Sequence, residues 1–104
     1  MEIRVRTKDY PLTRALKDKI RDSVTSTLGR HQTEIAYVAV LLRDLNGPRG
    51  GIDQRCDVRV VFTRGGPPLT VHDVAADAYV AIYRATQKAR SATRRHLDRT
   101  RKAA

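Results

Sequence analysis

Apolar and polar positions alternate from the first residues of the chain. Ile3 and Val5 fall on one side and Arg4 and Arg6 on the other, the two-residue period of a half-buried strand over residues 2–7. Pro11 ends that strand, and Thr13 is placed to cap a helix, its hydroxyl accepting one of the orphan N–H groups of the first turn. Leu16, Ile20, Val24 and Leu28 then recur at helical spacing and Gly29 is the expected stop, which gives a first helix of about four turns. From Glu34 to Leu45 the period returns to two. Ile35, Val38, Val40 and Leu42 are apolar, with Tyr37, Ala39 and Leu41 between them, so this strand is central or has its second face partly covered. Asn46 to Gly51 can only be a loop. Cys56, Val58, Val60 and Phe62 alternate with Arg55, Asp57, Arg59 and Val61 as a third strand.

Gly65-Gly66-Pro67-Pro68 turns the chain, and Leu69 and Val71 begin a short final strand. Its two leading prolines lack ladder donors, so its start belongs at a turn or an edge. Asp73 or Val74 is expected to open the last helix, which runs to the C-terminus without Gly or Pro. Its inward stripe reads Ala78, Ile82, Ala85, Ala89, Ala92 and His96, with Tyr79 and Leu97 at the margins. So thin a stripe means one of two things: the helix lies unusually close to its sheet, or its distal half projects. The order β-α-β-β-β-α, with one apolar face per strand, predicts a two-layer α+β fold. Its four-stranded, mostly antiparallel sheet carries both helices on one face. The length of 104 residues fits one domain over 1–104.

Charge narrows the partner. Lys and Arg number 21 against 11 Asp and Glu, a formal net charge of +10, which favours a polyanion. No apolar run approaches the roughly 18 residues that span a bilayer, and the lone Cys56 fits a reducing, cytoplasmic interior. The excess is concentrated: residues 84–104 hold eight bases and one acid, Asp98. Arg84, Lys88, Arg95, Arg99 and Lys102 follow steps of three, four and seven along one flank, while Arg90, Arg94 and Arg101 line the other. Like charges so spaced repel, and a merely solvated face would mix signs. The first helix adds Arg14, Lys17 and Arg21, opposed by Asp18 and Asp22. With the helices side by side, both stripes could border one groove attracting phosphates. With no Trp, one Phe and four Tyr, contact with the backbone of folded RNA by shape and charge is favoured over base stacking.

Candidate catalytic chemistry is thin. His31, His72 and His96 lie in three different elements with no metal-ligand spacing. Ser23, Ser26 and Ser91 lack a nucleophile-elbow context. Gly50-Gly51 and Gly65-Gly66 are turn glycines rather than phosphate loops. Asp73 and Asp77 are accounted for by the positive end of the last helix. The expectation is a binding protein without enzymatic activity, metal, cofactor or small-molecule substrate.

Residues 12–20, Leu-Thr-Arg-Ala-Leu-Lys-Asp-Lys-Ile, resemble the opening of the first helix in the family of hibernation promoting factor and ribosome-associated inhibitor A, the sigma-54 modulation proteins. The Gly65-Gly66 turn, the stretch Asp77-Ala78-Tyr79-Val80-Ala81-Ile82, Lys88 and the run Arg94-Arg95-His96 are similar to that family's turn, helix signature and basic second helix. The likeness covers nearly the whole chain. It implies a β-α-β-β-β-α fold docked on the small ribosomal subunit and its rRNA, blocking the mRNA and tRNA channel in stressed or resting bacteria. Lys17, Lys88, Arg95 and their neighbours would make the phosphate contacts. Alanines at 85 and 89, where the family usually has Leu, imply different helix–sheet packing. Ending at Ala104 without the long-form C-terminal domain implies a protein monomeric off the ribosome that does not pair ribosomes by its own dimerisation. Two other readings compete with this one. One is a general duplex RNA or DNA module; the other is a protein-interaction regulator using Tyr37, Ala39 and Leu41.

Overall fold

The computed structural model describes residues 1–9, 11–45 and 53–103; the Asn46–Gly51 loop lies outside them. Its order is β1 (Glu2–Lys8), α1 (Arg14–Leu28), a 3₁₀ turn (Gly29–His31), β2 (Ile35–Asp44), β3 (Gln54–Phe62), β4 (Leu69–Ala75) and α2 (Ala78–Ala103). The four strands form one sheet in the order β1-β2-β3-β4. β1 runs parallel to β2 with α1 as the crossover, and the other two pairs are antiparallel. Strand alternation sends Val38, Val40, Leu42, Cys56, Val58 and Val60 into one core with Leu16, Ile20, Val24 and Leu28 of α1 and Ile82 of α2. The fold class is the α+β arrangement expected from the sequence, and β2 is central.

Thr13 caps α1 as expected: its hydroxyl accepts from the Leu16 N–H at 3.1 Å. Gly29 follows the helix in right-handed rather than left-handed geometry, at φ −59°, so the chain tightens into the 3₁₀ turn instead of reversing. The β3–β4 turn does need glycine, because Gly65 and Gly66 sit at φ +80° and +87°, where other residues are strained.

The expected start of the last helix is corrected. Asp73 and Val74 belong to β4, paired with Cys56 and Arg55 of β3, because the alternation begun at Leu69 and Val71 carries on through Asp73 to Ala75. The helix opens at Asp77, whose carboxylate accepts from the Tyr79 N–H at 2.7 Å and whose carbonyl accepts from the Ala81 N–H at 3.0 Å. Asp77 therefore sits at the positive helix end, and Asp73 does not. Asp73 instead faces α2, with an oxygen 3.4 Å from Lys88 Nζ. Lys88 also donates to the His72 carbonyl at 3.1 Å, fastening the helix to the edge strand. The Asp73 carboxyl is held below its ordinary range, first by the Val74 N–H and then by Lys88 and Arg84.

Of the two consequences read from the alanine stripe, close packing is the one the structure shows; the distal half stays packed as far as Leu97. Ala81, Ala85 and Ala89 have no exposed surface, so the first part of α2 lies directly on β3 and β4. Thr86 and Thr93 are equally buried, widening the inward face beyond the apolar residues. His96 stacks on Phe62 with ring centroids 4.3 Å apart, and Leu97, read as marginal, is buried. Past Leu97 the residues are exposed, and the helix outruns the sheet.

Two outcomes follow from this packing. Ala89→Leu must push the helix off the sheet and is expected to cost about 1–3 kcal/mol, read as a lower urea midpoint; an unchanged midpoint would mean the interface is loose. Because the Asp73 carboxyl is depressed, its contribution is present at neutral pH and lost as acid protonates it. The stability difference between the parent and Asp73→Asn should therefore shrink as pH falls below about 4, and a difference constant from pH 7 to 3 would contradict the latch.

Candidate nucleic-acid interface

The rotational phase of the helices decides where the basic side chains point. Ser23 Oγ of α1 lies 3.0 Å from Thr86 Oγ1 of α2, and the Thr86 hydroxyl also lies 2.8 Å from the Ile82 carbonyl, to which it donates. This bond marks the side each helix turns toward the other. At about 100° per residue, Arg14, Lys17 and Arg21 are roughly 120–180° away from Ser23, on the flank of α1 remote from α2. By the same measure, Arg84, Lys88, Arg95 and Arg99 are roughly 140–180° from Thr86, on the flank over the β4 edge.

The single groove expected between two basic stripes is therefore not formed. The α1 stripe and the larger α2 stripe occupy opposite outer flanks of the helical layer. The seam between the helices is bordered instead by the other α2 line, in which Arg90, Arg94 and Arg101 share a face with Tyr83. Tyr79 and Lys19 lie nearby on the same geometry. Tyr83 is 62% exposed and Tyr79 47%, so the seam carries aromatic surface among its cations. Composition counted four tyrosines without placing them; the seven-residue step from Tyr83 to Arg90 was the available signal.

All nine candidate residues, Arg14, Lys17, Arg21, Arg84, Lys88, Arg90, Arg94, Arg95 and Arg99, are exposed on the helical layer. Of these nine, only Lys88 is in an ion pair with another described residue. The helical carboxylates Asp18, Asp22 and Asp98 form no ion pair with any of the nine among the described residues. Arg101, outside that set, is tied to Glu34 at 3.3 Å and approaches Asp98 at 3.9 Å, holding the overhanging end of α2 against the start of β2. Three basic lines thus stand on two rods fixed by one core, with most of their forks open to an oxyanion.

Other chemistry finds little support in the geometry. Among the described residues no group of three or more His, Cys, Asp and Glu could hold a metal ion, and no helix is long and apolar enough to cross a membrane. Cys56 is buried, and burial pushes its thiol up to about 12, so it is not a nucleophile at neutral pH. A hollow of about 710 Å³ lies under the end of α2 beside Phe62, His96 and Arg101.

Comparison with known proteins places this architecture. The sequence matches none of the curated proteins with which it was compared. Among solved structures, the N-terminal domain of Thermus thermophilus Protein Y superposes with a TM-score of 0.74 at 22% identity, covering 92% of this chain and 99% of that one. A ribosomal subunit interface protein from Coxiella burnetii gives 0.79 at 12% identity, covering 94% and 99%. At such identities the likeness is one of fold. The family model described as sigma 54 modulation protein / S30EA ribosomal protein matches residues 3–101. With nearly every residue from β1 to the end of α2 inside that match, the chain belongs to the sigma-54 modulation protein / S30EA ribosomal protein family.

Proposed function

We propose that this chain is a ribosome-associated factor that docks on the small ribosomal subunit through its two basic helices. There it would occupy the mRNA and tRNA channel and hold translation off in stressed or stationary-phase bacteria. The observation that carries the reading is the set of exposed, unpaired cations on two rods locked in rotation, in a member of this family. Arginine dominates those lines, and its planar fork suits two-point contact with phosphate. Spread over two flanks and a seam, the cations address a broad RNA surface rather than a cleft-sized ligand.

In this reading the chain works as one domain over 1–104, in the cytoplasm, as a monomer off the ribosome. It inhibits by occupancy, with no catalytic step and no cofactor. Arg14, Lys17 and Arg21 take phosphates on one side. Arg84, Arg95 and Arg99 take them on the other, and Arg90 and Arg94 take them along the seam. Lys88 spends part of its donor capacity on β4, so it contributes less than its neighbours and more to the fold.

Cosedimentation with purified small subunits tests this. Neutralising about five phosphates gives a log–log salt slope on the order of −3 to −5. Arg84→Glu/Arg95→Glu/Arg99→Glu, which spares the Lys88 latch, should weaken binding by at least about 100-fold with unchanged circular dichroism. Retained binding by that variant would refute the assigned surface, and equal affinity for plain duplex RNA would point to a general duplex-binding module.

A further inference from the structure

The face of the sheet turned away from the helices is also basic, and the helical docking surface does not use it. The strand register places its side chains in cross-strand rows. Arg4, Ala39, Arg59 and Thr70 form one row and Arg6, Leu41, Asp57 and His72 the next. Lys8, Arg43 and Arg55 form the third. Both carboxylates on this face are already taken. Glu2 is bound by Arg4 at 2.9 Å, and Asp57 by Arg55 at 3.0 Å. Among the described residues Arg6, Lys8, Arg43 and Arg59 are left without an ion-pair partner.

Their arrangement is concave. Arg6 and Lys8 on β1 and Arg59 and the Arg55-bound Asp57 on β3 wall a shallow basin of about 570 Å³ whose floor is Ala39 and Leu41 of β2. Two strand spacings separate those walls, about 10 Å. The rows repeat every two residues, about 7 Å along the strands, which is the scale of one nucleotide in an extended chain. Next to the basin, Arg43 Nε is withdrawn from water and bonds to no acceptor. A buried donor of that kind is costly to leave unmet, and cations surround it on its own face. An RNA phosphate is a chemically suitable acceptor for it.

We propose that this open sheet face binds single-stranded RNA, separately from the helical surface. The phosphates of an extended strand sit against Arg6, Arg59 and Arg43, while its sugars and bases lie over Ala39 and Leu41. Charge complementarity selects a polyanion. The one-strand width selects a single strand, since a duplex is too wide to reach the apolar floor and would meet only the rim. Tyr37 is already covered by the Arg4 guanidinium, 3.7 Å from its ring centroid, so the site offers guanidinium planes rather than bare aromatic rings for the bases. The preference for sequence is correspondingly weak.

The test measures anisotropy of a fluorescein-labelled twelve-nucleotide oligouridylate and of a labelled RNA duplex, alongside small-subunit cosedimentation. Arg6→Glu/Arg59→Glu should lose at least about tenfold in oligouridylate affinity while keeping small-subunit binding through the helices. The neutral pair Arg6→Gln/Arg59→Gln, which removes charge without adding repulsion, should show a smaller loss in the same direction. The helical triple variant should show the opposite pattern, losing subunits and keeping oligouridylate. Oligouridylate affinity unchanged in both sheet variants overturns the site, as does an equal loss of duplex binding. Failure of the parent protein to bind subunits would sink only the proposed function.

Discussion

Everything in this molecule depends on the close approach of α2 to the sheet. A helix whose inward positions include Ala78, Ala81, Ala85, Ala89 and Ala92, with Ile82 and Leu97 as its large buried aliphatics, has few long side chains to hold it away, so it packs closely on β3 and β4. Buried Thr86 and Thr93 extend that contact sideways, and the Ser23–Thr86 hydroxyl pair locks the rotation. A larger core stripe would bury more apolar area, at about 25 cal/mol per Å², but would also lift the helix. Here the inward face is mostly small residues, with Ile82 and Leu97 the large exceptions, and the flanks are left to arginine.

That trade matters because the chain carries a formal charge of +10. Self-repulsion of this size opposes compaction, and few of the helical cations have a carboxylate to offset it. The core of branched aliphatics on β2 and β3, with Leu16, Ile20, Val24 and Leu28 beneath α1, supplies the cohesion. Lys88 and Arg101 add ties from α2 to the sheet edge and to Glu34. Exposed pairs of this kind contribute little each, yet they fix the azimuth and reach of the rod that carries most of the charge.

Much of the fold was legible because two-residue and helical periods separate cleanly in this chain. β2 was recognisable as central from apolar residues on both faces, and Thr13 as a cap from its position after Pro11. What the pattern hid was long-range. Asp73 looks like a helix-opening acid until Lys88, fifteen residues on, is seen to hold it at the inward face of a strand. Thr86 stands outside the inward stripe that the apolar pattern marks, yet it is buried and its hydroxyl meets its needs at Ile82 and Ser23. Helical phase depends on that meeting, so the identity of the basic residues was readable from sequence while the grouping into one groove was not. The sheet-face rows required the register of three strand pairs, which no local pattern supplies.

The overhang of α2 beyond Leu97 has a further meaning. Its final turns hold Arg99, Arg101 and Lys102 without any core residue beneath them, so beside the Arg101 tie to Glu34 the local cohesion is a backbone ladder working against Coulomb strain. Like charges at such spacing oppose the helix, and their screening by an anion would favour it. In the proposed docking, part of the attraction would go into ordering this terminal segment. The rest of the rod needs no such help.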